Sequence, residues 1–388
     1  MPSIETHLGL RQPLPLTLYI HIPWCVRKCP YCDFNSHRAG KNIPERDYID
    51  QLIADLKQDL PKAKGRQLSA IFIGGGTPSL LSAQAVGNLL RRVHRLLPFS
   101  SQTEITLEAN PGTVEQRKFS DFHHAGINRL SIGIQSFQDD KLSALGRIHN
   151  AEEAKKAVAI AQNSGIDRLN LDLMHGLPQQ SVNDTLYDLQ TAIDFAPDHL
   201  SWYELTIEPK TVFAKHTPAL PTDDSLESIQ QAGKALLAQY DYHHYEISAY
   251  CHHQSYCQHN LNYWQFGDYL GIGAGAHSKI TDTASGDVKR YWKLRNPRDY
   301  LAAETDFIAG SERVTPAMLP LEFMMNALRL NDGIDLALFK QRCGLDIDHI
   351  ASALQQGQTQ QLLRVEEERL YTTALGKRFL NDCINLFA

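Results

Sequence analysis

Short runs of β-branched and aliphatic residues alternate with segments of helical spacing from the start of the chain to about residue 250. Leu16–Pro23, Ala70–Gly74, Glu104–Ala109, Arg129–Gln135, Arg168–Met174 and Leu200–Ile207 read as strands. Between them apolar residues recur every three or four positions over Glu45–Leu60, Ala83–Leu97, Val114–His124, Ala151–Ser164, Ser181–Phe195 and Ser225–Tyr240, which predicts helices. Repeated βα units predict an α/β fold with a parallel sheet, a barrel or part of one. The strands end in loops rich in Gly, Asn, Asp and Gln, and active sites in such folds sit at those C-terminal ends.

Residues 241 to about 310 break the alternation with a stretch rich in histidine and aromatic residues, followed by Gly271-Ile-Gly-Ala-Gly-Ala-His-Ser278. Helical spacing then returns over Leu321–Leu330, Asp335–Cys343 and Asp348–Gln356, a strand is predicted over Leu362–Tyr371, and a last helix closes the chain. That order resembles a winged-helix module. The expected divisions are 1–240, 241–310 and a mostly helical 311–388.

The chain has 388 residues, 43% of them hydrophobic, enough for one large core and one smaller one. The formal net charge of -6 removes the footprint of a general nucleic-acid binder. Between Ser311 and Ala388, eight Lys or Arg face ten Asp or Glu, so the winged-helix-like segment lacks the basic face of a DNA reader. No apolar stretch reaches the length of a membrane span. Met-Pro-Ser-Ile-Glu-Thr-His at the start has neither a basic nor an apolar leader region. With an odd number of cysteines, seven, this predicts a cytoplasmic protein without a disulfide framework.

Three of those cysteines, Cys25, Cys29 and Cys32, lie in Tyr19-Ile-His-Ile-Pro-Trp-Cys25-Val-Arg-Lys-Cys29-Pro-Tyr-Cys32 with gaps of three and two residues. Thiolates are the usual ligands of iron–sulfur clusters, and three of them leave one iron of a four-iron cube open. A zinc site would need a fourth ligand, for which His21, Asp33 and His37 are the neighbours. At this spacing the chain resembles the radical S-adenosylmethionine (radical SAM) superfamily. The resemblance implies a partial (β/α)6 TIM-like barrel, a [4Fe-4S] cluster on the three cysteines, and S-adenosylmethionine capping the fourth iron.

The second predicted strand runs into Gly74-Gly75-Gly76-Thr77-Pro78. Three glycines clear side chains from a stretch of backbone, so that its amides and carbonyls can approach a ligand. In this position the run resembles the family's cofactor-binding element, which implies a role for Gly75, Gly76 and Thr77. Later strand ends carry single polar residues, Glu108, Gln135 and Asp172, which are costly to bury without partners. A ribose would supply partners to a carboxylate, and Arg147 could pair bidentately with the cofactor's carboxylate. Internal salt bridges or helix caps are the structural alternative. Tyr19 and Tyr31 match positions that contact cofactor or cluster in the family.

The resemblance covers most of the chain and is nearest to the branch containing oxygen-independent coproporphyrinogen III oxidases and HemW-type haem chaperones. The oxidases carry a further cysteine two positions after the third, where this chain has Phe34, and a longer N-terminal extension than the 24 residues before Cys25. His259-Asn-Leu-Asn-Tyr263-Trp264 matches the His-Asn-x-x-Tyr-Trp motif of the chaperones. An imidazole can ligate haem iron, and Tyr263, Trp264 and Phe266 could pack against a flat ring. His259 is the leading ligand, with His252, His253 and His277 as alternatives. Lys289, Arg290, Lys293 and Arg295, interleaved with Tyr291 and Trp292, could meet the propionates or form a solvated strand edge. The resemblance thus implies a haem carrier serving acceptor haemoproteins, including by peripheral contact with membrane ones. The competing class is a radical enzyme that decarboxylates a porphyrinogen.

Overall fold

The computed structural model describes residues 13–112 and 118–388. Its centre is one twelve-stranded sheet. The strands in chain order are β1 (Leu16–Ile22), β2 (Leu68–Gly75), β3 (Phe99–Ala109), β4 (Arg129–Gln135), β5 (Arg168–His175), β6 (His199–Glu204), β7 (His243–His244), β8 (Ala249–Cys251), β9 (Asp268–Ile272), β10 (His277–Thr281), β11 (Val288–Lys293) and β12 (Ile308–Val314). Their spatial order is β12-β11-β10-β9-β1-β2-β3-β4-β5-β6-β8-β7. The first six strands lie side by side in chain order, all parallel, which is the winding of a partial (β/α)6 barrel.

The strands of the parallel part are buried on both faces, and β1, Leu-Thr-Leu-Tyr-Ile-His-Ile, shows why. Leu18, Ile20 and Ile22 join the core beneath the helices with Tyr48, Leu52 and Leu56. The alternating Thr17, Tyr19 and His21 turn to the concave side. Asn150 and Ser181 each close a capping box at a helix start, and Gly126 ends the helix Phe119–Ala125 in the left-handed region. The predicted helix Val114–His124 begins at Phe119 within the described residues, and 113–117 lie outside them.

The segment 241–310, which breaks the sequence alternation, extends the same sheet. β9 adds to β1 in parallel, and β10, β11 and β12 follow as an antiparallel meander. The last part of the chain has the winged-helix order, with Ile334–Asp335 and Leu363–Glu366 pairing on either side of Arg369–Thr372. Its core, around Phe323, Phe339 and Leu354, continues into Phe266, Val288 and Val314, so it packs on the meander side. No helix among the described residues is long and apolar enough to cross a membrane.

Candidate cofactor site

Five of the first six strands bring a side chain or turn to one cavity of about 300 Å³, and the cysteine loop after β1 completes it. That loop is anchored by short parallel pairing of Trp24–Cys25 with His37–Arg38 and by Cys32 N–H donating to the Cys29 carbonyl at 3.2 Å. Cys25, Cys29 and Cys32 all line the cavity, half-buried. Burial pushes the Cys25 and Cys32 thiols up. Among the described residues no three His, Cys, Asp or Glu side chains converge on a single-ion site. His21 uses both ring nitrogens, on the Tyr19 hydroxyl at 3.0 Å and the Asn35 carbonyl at 2.9 Å.

The glycine turn is bonded directly to the cysteine loop: Gly76 N–H donates to the Ile22 carbonyl and Thr77 N–H to that of Trp24, both at 2.7 Å. Gly75 has φ of 114°, and a Cβ there would lie 2.5 Å from the His21 ring; one on Gly76 would lie 2.5 Å from the Trp24 oxygen. Side chains at either position would push the turn off the loop and fill the cradle. Thr77 accepts from Asn110 Nδ2 at 2.9 Å, and Asn110 Oδ1 accepts from Arg147 at 2.7 Å. Arg147 also donates to the Gly133 carbonyl at 2.8 Å, which leaves its buried Nε without a partner among the described residues.

Glu108 on β3 accepts from Gly75 N–H at 3.0 Å. Asp172 on β5 accepts from Asn170 at 2.8 Å and Ser131 at 3.1 Å. Gln135, the last residue of β4, has φ of 70° beside a register shift, a strained placement that aims its side chain at Tyr203, whose hydroxyl donates to it at 2.7 Å. The structure therefore brings together every predicted residue of this set. Tyr31 joins it through hydrogen bonds between its hydroxyl and both Cys29 and Arg147, whereas Tyr19 sits apart. Tyr31 packs 6.3 Å from the Phe213 ring, and Tyr19 lines a neighbouring cavity. Tyr203, Ser131 and Asn110 escaped the sequence reading. Tyr203 stands at the end of the sixth strand, the position that singled out the others.

Burial first, and the neighbouring Asp172 second, push the Glu108 carboxyl up to about 7. A carboxyl raised above its unfolded value stabilises the fold fully only below that value, near 4, and the contribution is lost as pH rises through about 7. Because the carboxyl faces an open cavity, the expected effect is discounted to about 1–3 kcal/mol. Denaturation of the cofactor-free protein should show Glu108→Gln gaining that much on the wild type between pH 5 and pH 8.5. A constant difference would mean that Glu108 does not titrate in this range.

A second cavity, of about 790 Å³, adjoins the first and shares Phe34, Gly75 and Glu108 with it. Tyr19, Tyr263, Tyr269 and Trp292 wall it, together with His259 and His277. His259 lies on the helix Gln258–Trp264 with its ring 5.2 Å from Phe72 and 6.2 Å from Tyr19. Its Nδ1 is buried without a partner among the described residues, and burial lowers the imidazole to about 4, so it is neutral and able to ligate.

The structure corrects several assignments around this cavity. Trp264 and Phe266 turn away: Trp264 stacks under Arg329 at 5.1 Å, and Phe266 lies in the C-terminal core. Of the four basic residues, Lys293 is fully buried on Asp55 and Asp59, Arg290 pairs with Glu322, and Lys289 is exposed beside Asp282 and Asp287. Arg295 alone of the four offers an exposed charge at this cavity. His252 stacks on Tyr242 at 3.8 Å, and neither it nor His253 lines the cavity.

Thiolate donors, a side-chain-free cradle, two neighbouring buried carboxylates and an unsatisfied guanidinium nitrogen suit a cluster with a small zwitterionic, ribose-bearing ligand beside it. Placed at the strand ends of a half barrel, they define the class: a radical SAM protein. Residues 19–191 match the Radical SAM superfamily and residues 314–379 the HemN C-terminal domain. The chain is 48% identical over 377 residues to the heme chaperone HemW of Haemophilus influenzae, covering 96% of this chain and 98% of that one. It is also 48% identical over 373 residues to HemW of Escherichia coli, with the same coverage, and 32% identical over 378 residues to HemW of Bacillus subtilis, covering 95% and 98%. The chain belongs to the HemW family. The solved structure of coproporphyrinogen III oxidase (HemN) from Escherichia coli shares its fold, with a TM-score of 0.82 over 98% of this chain and 92% of that one at 22% identity.

Proposed function

We propose that this protein is a cytoplasmic haem chaperone that binds haem in the larger cavity and passes it to acceptor haemoproteins, either soluble or at a membrane surface. Cys25, Cys29 and Cys32 hold a [4Fe-4S] cluster, and Gly75, Gly76, Thr77, Glu108, Gln135, Arg147 and Asp172 hold S-adenosylmethionine in the smaller cavity. Bound together, that pair supplies one-electron reductive chemistry. The protein's own part is to fix the cofactor's polar groups and to keep a separate compartment for the ring.

The observation that carries this reading is the second cavity itself. Its volume of about 790 Å³ suits a large cofactor, its walls are aromatic, and a neutral, unpartnered imidazole faces it. Relatives 48% identical over nearly the whole chain are named heme chaperones. Phe34, 59% exposed, stands between the two cavities where the oxidases place a further cysteine, which speaks against porphyrinogen decarboxylation. The deciding experiment offers anaerobically reconstituted protein haem in one arm, and coproporphyrinogen III with S-adenosylmethionine and a reductant in the other. Haem should bind, with or without the cluster, and no decarboxylated product should form. Conversion to protoporphyrinogen IX with consumption of S-adenosylmethionine would replace the chaperone by the oxidase.

Arg147→Ala should weaken S-adenosylmethionine binding by about 1.5–3 kcal/mol, the worth of a hydrogen bond to a charged group. Calorimetric titration of reconstituted protein checks this. An unchanged affinity would move the carboxylate contact to another residue.

A further inference from the structure

Tyr19, His277 and Trp292, which line the larger cavity, belong to one transverse row of the sheet. Phe72 on β2 stands opposite Tyr19 on β1, Tyr19 opposite Gly271 on β9, His277 opposite Trp292 on β11, and Trp292 opposite Gly310 on β12. The antiparallel pairing of Tyr269 with Lys279 puts Gly271 opposite His277. The row therefore reads aromatic, aromatic, glycine, imidazole, aromatic, glycine. Both glycines are required where they stand: a Cβ on Gly271 would lie 2.0 Å from the His277 oxygen, and one on Gly310 would lie 2.3 Å from the Trp292 indole.

Neighbouring strands are about 4.8 Å apart, so Tyr19 and His277, with β9 between them, stand two strand spacings, roughly 10 Å, apart. On one side stands the His259 ring, packed against Tyr19 and Phe72. On the other stands His277, exposed to the cavity, stacked on Trp292 with ring centroids 6.3 Å apart and planes at 29°, and making no side-chain hydrogen bond among the described residues. Burial lowers the His259 imidazole to about 4, and partial desolvation lowers that of His277. Of the cavity's three histidines among the described residues, His21 has both nitrogens engaged, so these two remain for a metal-centred ring.

We infer that His277 is a second haem ligand, working with His259 from the other side of the larger cavity. This rests on the reading of the larger cavity as a haem site. A haem iron held by two imidazoles is six-coordinate, and removal of one leaves it five-coordinate or hydrated. A ring held from both faces is held less tightly once either ligand is lost, which suits a carrier that must give its cargo up.

The test uses full-length protein loaded with ferric haem and read by absorbance and electron paramagnetic resonance. The wild type should be low-spin and six-coordinate. His277→Ala and His277→Gln should each turn it high-spin and weaken haem binding at least tenfold, while His252→Ala leaves both readouts unchanged. Far-ultraviolet circular dichroism and reconstituted cluster content confirm that the variants fold. If haem binds and both His277 variants keep the wild-type spectrum, the inference is overturned while the haem site stands. If the wild type binds no haem, the chaperone reading falls and the inference with it.

Discussion

Lys293→Met should destabilise the folded protein by about 3–5 kcal/mol, the usual penalty for removing one partner from a buried ion pair. Lys293 is fully buried and holds the carboxylates of Asp55 and Asp59, the second at 2.7 Å. These aspartates lie on the helix Glu45–Ala63, whereas Lys293 ends β11, so the pair bolts that helix to the meander. Asp55 keeps the Tyr300 hydroxyl at 2.8 Å and Gly273 N–H at 3.1 Å, and Asp59 keeps Lys62, but neither carboxylate would retain its charge partner of full burial. Against a typical total stability of about 5–15 kcal/mol the loss is large. Urea denaturation measures it. Asp55→Asn combined with Lys293→Met should recover part of the loss, because a buried amide needs no counter-charge. A loss under about 1 kcal/mol in Lys293→Met would mean that the two carboxylates are already neutral.

Replacing any one of Cys25, Cys29 and Cys32 by Ala should abolish the brown iron–sulfur chromophore after anaerobic reconstitution. Three protein thiolates are the minimum that leaves a single open iron, so two cannot hold the same cluster. Cys251, Cys257, Cys343 and Cys383 are buried away from the loop, and Ala at each should leave iron and sulfide content unchanged. Full iron and sulfide in the triple variant would remove the cluster from this loop altogether.

Much of the first cavity was legible before any coordinates. Glu108, Gln135 and the glycine turn each sit at the end of an aliphatic run and Asp172 three residues before the end of β5, and a parallel βα repeat delivers strand ends to one side whatever the finer packing. The second cavity was legible in its helix, and in His277, Trp292 and Arg295 only among alternatives that the sequence could not separate. Trp264 and Phe266 are as aromatic as Tyr263, and nothing local says which of them faces a ligand. Lys293 resembles Arg295 equally well, yet one is locked in the core and the other is open at the rim.

The chain by itself determined the alternation of strands and helices, the cysteine spacing and the polar strand ends, because these depend on residue type and on short periodicities of two and 3.6. Only the tertiary structure decided that β9 joins β1 in parallel and that the meander beyond it carries His277 and Trp292 to the larger cavity. It also decided that Trp264 turns into the C-terminal core and that Lys293 finds Asp55 some 238 residues away. Such outcomes depend on which distant surfaces meet, since the burial of a charge or a ring is settled by the partner it finds and not by its neighbours in the chain.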